Sequence, residues 1–205
     1  MHPNPAFRGT PRDQNLAFAR DRGFGVLSVN GEDGPLAAHI PFELSADASE
    51  IRLHLARSNP IARLALPVPA VIVVSGPDAY ISPDWYGVPD QVPTWNYVAV
   101  HLRGLLHPQP PALLLPHLDA VSEDFENRLL PKPPWKTAKM TEGVMDRMMR
   151  MILPFRIDVT SVEGTWKLNQ NKTAAARLGA VDGLEAQAEP GRAAQLAALM
   201  RDLPE

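Results

Sequence analysis

A compact group of polar side chains follows one of the predicted strands. Arg57, Ser58 and Asn59 place a cation, a hydroxyl and an amide directly before Pro60, a residue that can begin a helix. The N-terminus of a helix presents unpaired N–H groups and a partial positive charge. The three side chains and the start of the helix would therefore bind a phosphate together. Ordinary capping by Ser58 or Asn59, with a solvated Arg57, explains the same residues equally well. The segment predicts either a phosphate site or a capped helix.

A proline lies inside an earlier strand pattern, in the sequence His39-Ile40-Pro41-Phe42. Because proline has no N–H to donate to a sheet, it is normally found on an edge strand or at a bulge. The periodicity alone favours a simple edge strand. The functional alternative is a strand whose free backbone groups face a planar ligand.

Two further segments combine aromatic or charged side chains with amides. The stretch from Tyr80 to Tyr97 holds two of the four tryptophans and all three tyrosines. Such side chains are common at ligand walls and subunit interfaces, and also in ordinary cores. The stretch from Trp166 to Lys172 carries two lysines and three amides, for which the simplest explanation is a helix start capped by Asn169 or Asn171.

The composition and the missing motifs narrow the possible functions. The chain has no cysteine, so it contains no disulfide, thiolate metal site or cysteine nucleophile. It has no P-loop, no G-x-S-x-G and no G-x-G-x-x-G after a strand pattern, and the spacing of its six histidines predicts no metal site. A net charge of -3, with 20 basic residues scattered among 23 acidic ones, makes direct nucleic-acid binding doubtful.

The pattern of predicted elements positions these segments. Short runs of β-forming residues alternate with turn clusters, which is typical of an antiparallel meander. The predicted strands are Phe24 to Val29, Leu36 to Leu44, Ile51 to Leu55, Val71 to Ser75, Tyr97 to Leu106 and Phe155 to Thr160. The predicted helices are Pro11 to Arg22, Pro60 to Leu66, Pro111 to Leu129, Thr141 to Met151, Lys172 to Leu178 and Gly191 to Leu203. About six strands with helices inserted late predict a mainly β, α+β fold, an antiparallel barrel with peripheral helices.

The hydrophobic residues are not arranged for a membrane. No stretch approaches the roughly 20 apolar residues that cross a bilayer, and residues 1–11 lack the apolar core of a signal peptide. Together with the absence of cysteine, this predicts a soluble, cytoplasmic protein that does not associate with membranes.

Five motifs occur in one order along the chain: H-I-P-F, H-x-A-R-S-N-P, G-P-x-A-Y-I-S-P-x-W-Y, V-P-T-W-N-Y-V-A-V-H and W-K-L-N-Q-N-K. Together they resemble the PaiB-like family of FMN-binding negative transcriptional regulators, from the first predicted helix to about Leu178. The resemblance implies a split β-barrel related to the pyridoxamine-phosphate oxidase-like flavoproteins. It also implies a homodimer that holds FMN in a cleft between its subunits.

The resemblance further implies which residues bind the cofactor. Residues 38–41 would lie along the isoalloxazine ring, and the corner at 57–59 would hold the phosphate. The remaining residues would close the pocket, some of them from the second subunit. The full predicted set is Ala38, His39, Ile40, Pro41, His54, Arg57, Ser58, Asn59, Trp95, Asn96, Tyr97, Lys167, Gln170, Asn171 and Lys172. The domain would span 1–178 with a helical insertion at about 110–151, followed by a C-terminal helical tail at 179–205.

Three functions are compatible with this resemblance. The first is a regulator that senses or uses flavin, or acts through a protein partner, rather than reading DNA directly. The second is a flavin-dependent oxidoreductase that passes electrons from a reduced nicotinamide to an acceptor, since FMN needs no side-chain nucleophile. The third is a haem- or deazaflavin-binding protein on the same fold, with His54 or His101 as the haem ligand. No catalytic residue is predicted.

Overall fold

Six β-strands form the sheet within residues 1–187 and 191–203, which are the residues that the computed structural model describes. The strands are β1 Phe24–Gly31, β2 Gly34–Leu44, β3 Glu50–Ala56, β4 Val68–Ile81, β5 Thr94–Pro108 and β6 Ile152–Lys167. Their order is β1-β2-β3-β6-β5-β4, which closes into a barrel. β1 pairs antiparallel with β2 and β4, and β3 pairs antiparallel with β2 and β6.

Five α-helices surround the strands within the same described residues. They are α1 Arg12–Arg22, α2 Leu114–Asn127, α3 Val144–Met149, α4 Ala174–Glu185 and α5 Arg192–Arg201. The insertion between β5 and β6 contains α2 and α3, whereas α4 and α5 follow β6. None of these helices is both long enough and apolar enough to span a membrane.

Local sequence explains where several elements begin and end. α1 has Arg20 and Arg22 in its last turn, where cations complement the helix dipole, and Gly23 ends it with a φ of 54°. Thr173 is the N-cap of α4, and its hydroxyl accepts a hydrogen bond from the N–H of Ala176 at 3.3 Å. β1 alternates buried and more accessible residues, as expected for a strand with one face on the core.

The chain divides into two compact units. The central unit comprises Leu16–Val74 and His101–Val162, and the terminal unit comprises Met1–Asn15, Ser75–Val100 and the described part of Glu163–Glu205. The core of the central unit consists of aliphatic and aromatic side chains, including Leu27, Phe42, Ile51, Leu53, Ile72, Leu102, Phe155 and Ile157. The core of the terminal unit includes Ile81, Val98, Val181, Leu184, Leu196 and Met200.

One glycine in each unit permits a close approach that a side chain would prevent. In the central unit, a Cβ on Gly104 of β5 would lie 2.0 Å from the backbone oxygen of Asp158 in β6. In the terminal unit, a Cβ on Gly183 of α4 would lie 2.3 Å from the indole ring of Trp85. Glycine is therefore required where β5 meets β6 and where α4 packs on Trp85.

The predicted fold class is confirmed, since the chain forms an antiparallel split barrel of six strands with peripheral helices. Several boundaries differ from the prediction. β4 continues through Pro77 to Ile81, and β6 continues to Lys167. Both strands have hydrogen-bonded neighbours in the barrel, and pairing with a neighbour extends a strand beyond its local β-forming run.

The helical predictions also differ in extent. The helix predicted from Pro60 to Leu66 is the single 3-10 turn Pro60–Arg63, and the one predicted from Thr141 to Met151 shortens to α3. α4 runs across position 178, so the predicted domain boundary falls inside a helix. Of the predicted tail 179–205, residues 188–190 and 204–205 lie outside the described residues.

Candidate functional site

β2 pairs with β1 over most of its length, whereas it pairs with β3 only over its last three residues. Its partner β1 is in register from the Gly31–Gly34 pair to the Phe24–Pro41 pair. Its register with β3 comprises Phe42–Leu53, Glu43–Arg52 and Leu44–Ile51. Among the described residues, the stretch from Gly34 to Pro41 therefore has no partner in β3, and its backbone forms an open edge.

The side chains along this open edge alternate between core and surface. Ala38 and Ile40 are buried in the core, whereas His39 is exposed. The imidazole of His39 stacks on the half-exposed ring of Phe24, with ring centroids 6.4 Å apart and an interplanar angle of 28°. A planar ligand at this edge would therefore meet backbone groups and the side chains of His39 and Pro41 rather than those of Ala38 and Ile40.

The polar corner follows directly after β3. The N–H of Arg57 donates to the carbonyl of Met151 at 2.8 Å, and its Nε donates to the carbonyl of Arg150 at 2.9 Å. The Oδ1 of Asn59 accepts from the N–H of Ile61 at 2.9 Å, while Ser58 is exposed. The corner contacts the insertion through Arg57 and caps the next turn through Asn59.

The hydrogen bonds of this corner determine which of its groups are free to bind a phosphate. The turn Pro60–Arg63 has four residues, too few for the dipole of a helix to contribute, and the N–H of Ile61 is already bonded to Asn59. The side-chain oxygen of Asn59 therefore caps this turn, as the simpler of the two sequence interpretations predicted. The donors that remain for an anion are the terminal guanidinium nitrogens of Arg57, the hydroxyl of Ser58 and the amide nitrogen of Asn59.

His54 is engaged with the insertion. Its Nδ1 lies 3.1 Å from Nε2 of His117 in α2, and the two rings are 5.3 Å apart. Burial lowers the pKa of His54, and burial together with the nearby His54 and Arg52 lowers the pKa of His117 to about 4. Both rings are therefore neutral at pH 7 and share one hydrogen bond.

The predicted residues of β5 belong to the terminal unit and face opposite ways. Trp95 is 55% exposed and Tyr97 is half-buried, whereas Asn96 is fully buried. The Nδ2 of Asn96 donates to the sulfur of Met200 in α5 at 3.4 Å. Because neighbouring strand residues point to opposite faces, the side chain of Asn96 does not line a pocket with those of Trp95 and Tyr97.

The predicted residues that end β6 are also in the terminal unit. Lys167 donates to the hydroxyl of Thr94, and burial, with a smaller contribution from Lys172, lowers its pKa. Lys172 donates to Oε1 of Gln91 at 2.5 Å, and its Nζ lies 5.0 Å from the centre of the Tyr86 ring. These two cations have partners and remain half-accessible.

The amides of the same segment are mainly structural. Gln170 donates from Nε2 to the carbonyl of Trp166 at 2.5 Å and accepts from the N–H of Leu168 at 2.8 Å. Asn169 adopts a positive φ of 63°, and its Oδ1 accepts from the hydroxyl of Tyr86. Asn171 is exposed. Gln170 and Asn169 hold the turn after β6, which leaves the lysines as its ligand-accessible charges.

Sequence reasoning did not find two residues that belong to this region. Arg150 orients Arg57 through its carbonyl, and His117 pairs with His54. A backbone carbonyl carries no sequence signal, and His117 lies in a helical pattern without any metal-type spacing. Only the placement of the insertion on β3 reveals either contact.

The order and pairing of the strands identify this chain as a split-barrel protein. Solved structures with the same fold include the FAD and heme binding protein from Mycobacterium smegmatis, with a TM-score of 0.56 and 15% identity over 78% of this chain and 73% of that chain. Another is the flavocytochrome Anf3 from Azotobacter vinelandii, with a TM-score of 0.57 and 10% identity over 81% and 72% of the two chains.

The family follows from the sequence match. Residues 1–161 match the family described as "Putative FMN-binding domain". The chain is also 30% identical over 199 residues to the protease synthase and sporulation protein PAI 2 of Bacillus subtilis, covering 96% of this chain and 94% of that protein. The chain belongs to this FMN-binding family, and the predicted resemblance and the predicted FMN cofactor are confirmed.

The residues of the central unit fit this cofactor chemically. An open strand edge offers backbone N–H and C=O groups to a flat heterocycle. The guanidinium of Arg57 and the hydroxyl of Ser58 offer the donors that a phosphate requires. The family resemblance predicted a ring site at residues 38–41 and a phosphate site at 57–59. Each of these segments therefore offers hydrogen-bonding groups that suit its part of FMN.

Proposed function

We propose that this chain forms a cytoplasmic homodimer that binds FMN with the isoalloxazine ring along the open edge of β2. The phosphate then lies at Arg57 and Ser58. The observation that carries the proposal is the position of the turn Pro60–Arg63, which contacts both β2 and β3. The corner before this turn consequently lies beside the open edge. When bound, FMN supplies redox chemistry, and the residues of the chain bind and orient it.

Arg57 is the principal phosphate ligand in this proposal. Its Nε is already bonded to the carbonyl of Arg150, which fixes the plane of the guanidinium and leaves its two terminal nitrogens for the phosphate. Ser58 adds a hydroxyl donor. Asn59 contributes only its amide nitrogen, because its oxygen caps the turn. Tyr97, Lys167 and Lys172 remain predicted ligands on the strength of the family resemblance.

The experiment compares FMN with riboflavin, which lacks the phosphate. The wild type is expected to bind FMN more tightly than riboflavin by about tenfold or more, because a charge-assisted contact is lost with the phosphate. Arg57→Gln should weaken FMN binding by a similar factor and leave riboflavin binding unchanged. Flavin fluorescence titration measures both affinities.

The matched control is Arg63→Gln, which removes an exposed arginine of the neighbouring turn and should change neither affinity. Equal affinity of the wild type for FMN and riboflavin would contradict the phosphate assignment. An equal loss of affinity for FMN and for riboflavin in Arg57→Gln would also contradict it, because that result would indicate a structural effect on the site.

The homodimer rests on an apolar surface of the terminal unit. Tyr80 is 46% exposed, Trp95 55% and Val92 73%, and the rings of Tyr80 and Trp95 meet edge to face at 6.2 Å. Large exposed aromatic side chains with an adjoining apolar residue are typical of an interface, and two-fold pairing is the commonest way to cover one. We place the dimer contact on this aromatic surface.

Light scattering tests the dimer directly. The wild type should show twice the chain mass of 22.5 kDa. Trp95→Glu should give the chain mass, because it places a charge at the centre of the aromatic surface. Met148→Glu introduces the same charge at an exposed apolar residue of α3 and should remain dimeric. A monomeric wild type at micromolar concentration would refute this assignment.

We place this dimer in a regulatory role, which the resemblance of its five motifs to the PaiB-like family of negative transcriptional regulators supports. A net charge of -3 disfavours direct contact with a phosphate backbone. Regulation would therefore pass through the state of the flavin or through a protein partner.

A further inference from the structure

A cavity of about 300 Å³ lies in the central unit between the start of α2 and the strands β3 and β6. Its lining includes Arg52, Gln109, Leu113, Pro116, His117 and Arg156. We call it the outer cavity, because Arg52 alternates with the buried Ile51 and Leu53 and so projects from the outer face of β3. None of the predicted flavin residues lines it.

Two arginines lie directly opposite each other in this cavity. Arg52 and Arg156 are partners in the register of β3 with β6. Like charges in directly opposed positions destabilise a strand pair unless other groups compensate them. Nε of Arg52 lies 2.7 Å from Glu50, and Nε of Arg156 lies 3.0 Å from Asp158. Each guanidinium still has N–H groups available to an additional anion.

A buried histidine adds an unsatisfied group to the lining. His117 is only 4% exposed, and its Nδ1 has no hydrogen-bond partner among the described residues. The nearest carboxylate oxygen, Oε2 of Glu43, is 3.9 Å away and is also without a hydrogen bond. A buried polar atom without a partner is rare in a folded protein, and a water molecule or a ligand in the cavity would satisfy it.

The positive charge of the cavity comes from its two arginines and not from the start of the adjoining helix. The turn Pro111–Leu113 runs directly into α2, and the N–H groups of Leu113 and Leu114 are bonded to the carbonyls of Pro110 and Pro111. Pro111 and Pro116 have no N–H to offer. The opposing charges are Glu50 and Asp158, which are engaged by the two arginines, and Glu43, which lies beside His117.

We propose that the outer cavity binds a small organic carboxylate. The carboxylate bridges the free N–H groups of Arg52 and Arg156, and the apolar part of the molecule packs against Leu113, Pro116 and Pro154. A volume of about 300 Å³ is at the lower limit of ligand pockets and therefore suits a small molecule. The residues that line this site are not predicted flavin ligands, and one of them, His117, contacts the predicted flavin residue His54.

The experiment uses benzoate as the probe and benzamide as its uncharged analogue. Calorimetric titration of the FMN-loaded protein should show saturable binding of benzoate and binding of benzamide that is weaker by about tenfold or more. Arg52→Gln and Arg156→Gln should each weaken benzoate binding by about tenfold. Arg63→Gln, at an exposed position of the same unit, should bind benzoate as the wild type does.

A second variant and a spectroscopic measurement distinguish a loss of benzoate binding from a loss of folding. Leu113→Trp fills the cavity from a half-exposed position without altering either arginine, and it should abolish benzoate binding. In the wild type, benzoate should shift the ring nitrogen resonances of His117. The proposal is overturned if benzoate does not bind, if benzamide binds as well, or if Leu113→Trp leaves binding intact.

Discussion

The two sides of β3 are paired to different extents. On the β6 side, each residue from Glu50 to Ala56 has a partner, whereas on the β2 side the register ends at the Phe42–Leu53 pair. Pro41, which has no N–H, is the next residue of β2. The closed side stabilises the barrel and presents charged side chains on its surface. The open side leaves backbone groups of β2 without a partner in β3, and we propose this incomplete part of the sheet as the ligand edge.

The largest expected effect comes from separating β6, the strand on the closed side of β3, from its other neighbour β5. Gly104→Val places a side chain where the backbone oxygen of Asp158 lies, so β5 and β6 must move apart. We expect the free energy of unfolding to fall by about 3 kcal/mol or more. Urea unfolding followed by circular dichroism measures it.

Two other variants complete this comparison. Gly9→Ala should leave the stability unchanged, since a Cβ there has no neighbour within 4 Å. Arg57→Gln, at the open end of β3, should change the stability by less than about 1 kcal/mol. A Gly104→Val protein that unfolds at the urea concentration of the wild type would show that the close approach does not stabilise the barrel.

A moderate effect is expected from lowering the pH, through the histidine pair that joins α2 to β3. Burial lowers the pKa of His117 to about 4 in the folded protein, against an ordinary value of 6.5. The unfolded chain therefore binds more protons between these values, so stability is complete above about pH 6.5 and declines as the pH falls towards 4. We expect a loss of about 2 kcal/mol between pH 7 and pH 5.

Urea unfolding at both pH values checks this expectation. His117→Gln removes the titrating group, so the variant should lose about 2 kcal/mol less than the wild type between the two pH values. His54, whose pKa is also lowered by burial, acts in the same direction and remains in the variant. Equal losses in the two proteins would show that another group causes the acid sensitivity.

The smallest effect concerns the cap at the end of β3. Asn59→Ala removes the acceptor of the Ile61 N–H and should cost about 1 kcal/mol of stability. Asn59→Asp keeps the acceptor and should retain most of it, while its negative charge should weaken FMN binding beside Arg57. Thermal unfolding measures the contribution of Asn59 as a cap, and flavin titration measures its effect on FMN binding. An Asp variant that binds FMN as tightly as the wild type would place the phosphate away from Asn59.

Local sequence predicted those features that depend on a residue's own backbone. Pro41 indicated the edge of β2 because it lacks a donor, and Gly23 indicated the end of α1 because it permits a positive φ. The family motifs identified the barrel and its cofactor. These signals need no knowledge of distant partners.

Features that depend on distant partners could not be predicted in this way. Pro77 lies inside β4, where a proline would locally indicate a break, because neighbouring strands extend the pairing beyond it. Asn96 was predicted as a ligand residue beside two aromatics, and its burial against Met200 of α5 could not be foreseen from its neighbours in sequence. The contact of His54 with His117 joins positions 63 residues apart.

In the proposed binding mode, the hydrogen bond from Arg57 to the carbonyl of Arg150 links the affinity for the cofactor to the insertion. The carbonyl belongs to the residue that follows α3, so the position of α3 and the orientation of the guanidinium are linked. By reciprocity, a phosphate that favours the bonded orientation of Arg57 stabilises this position of α3 by the same free energy that α3 contributes to the affinity. In this proposed mode, the occupancy of the cofactor site and the order of the insertion rise and fall together.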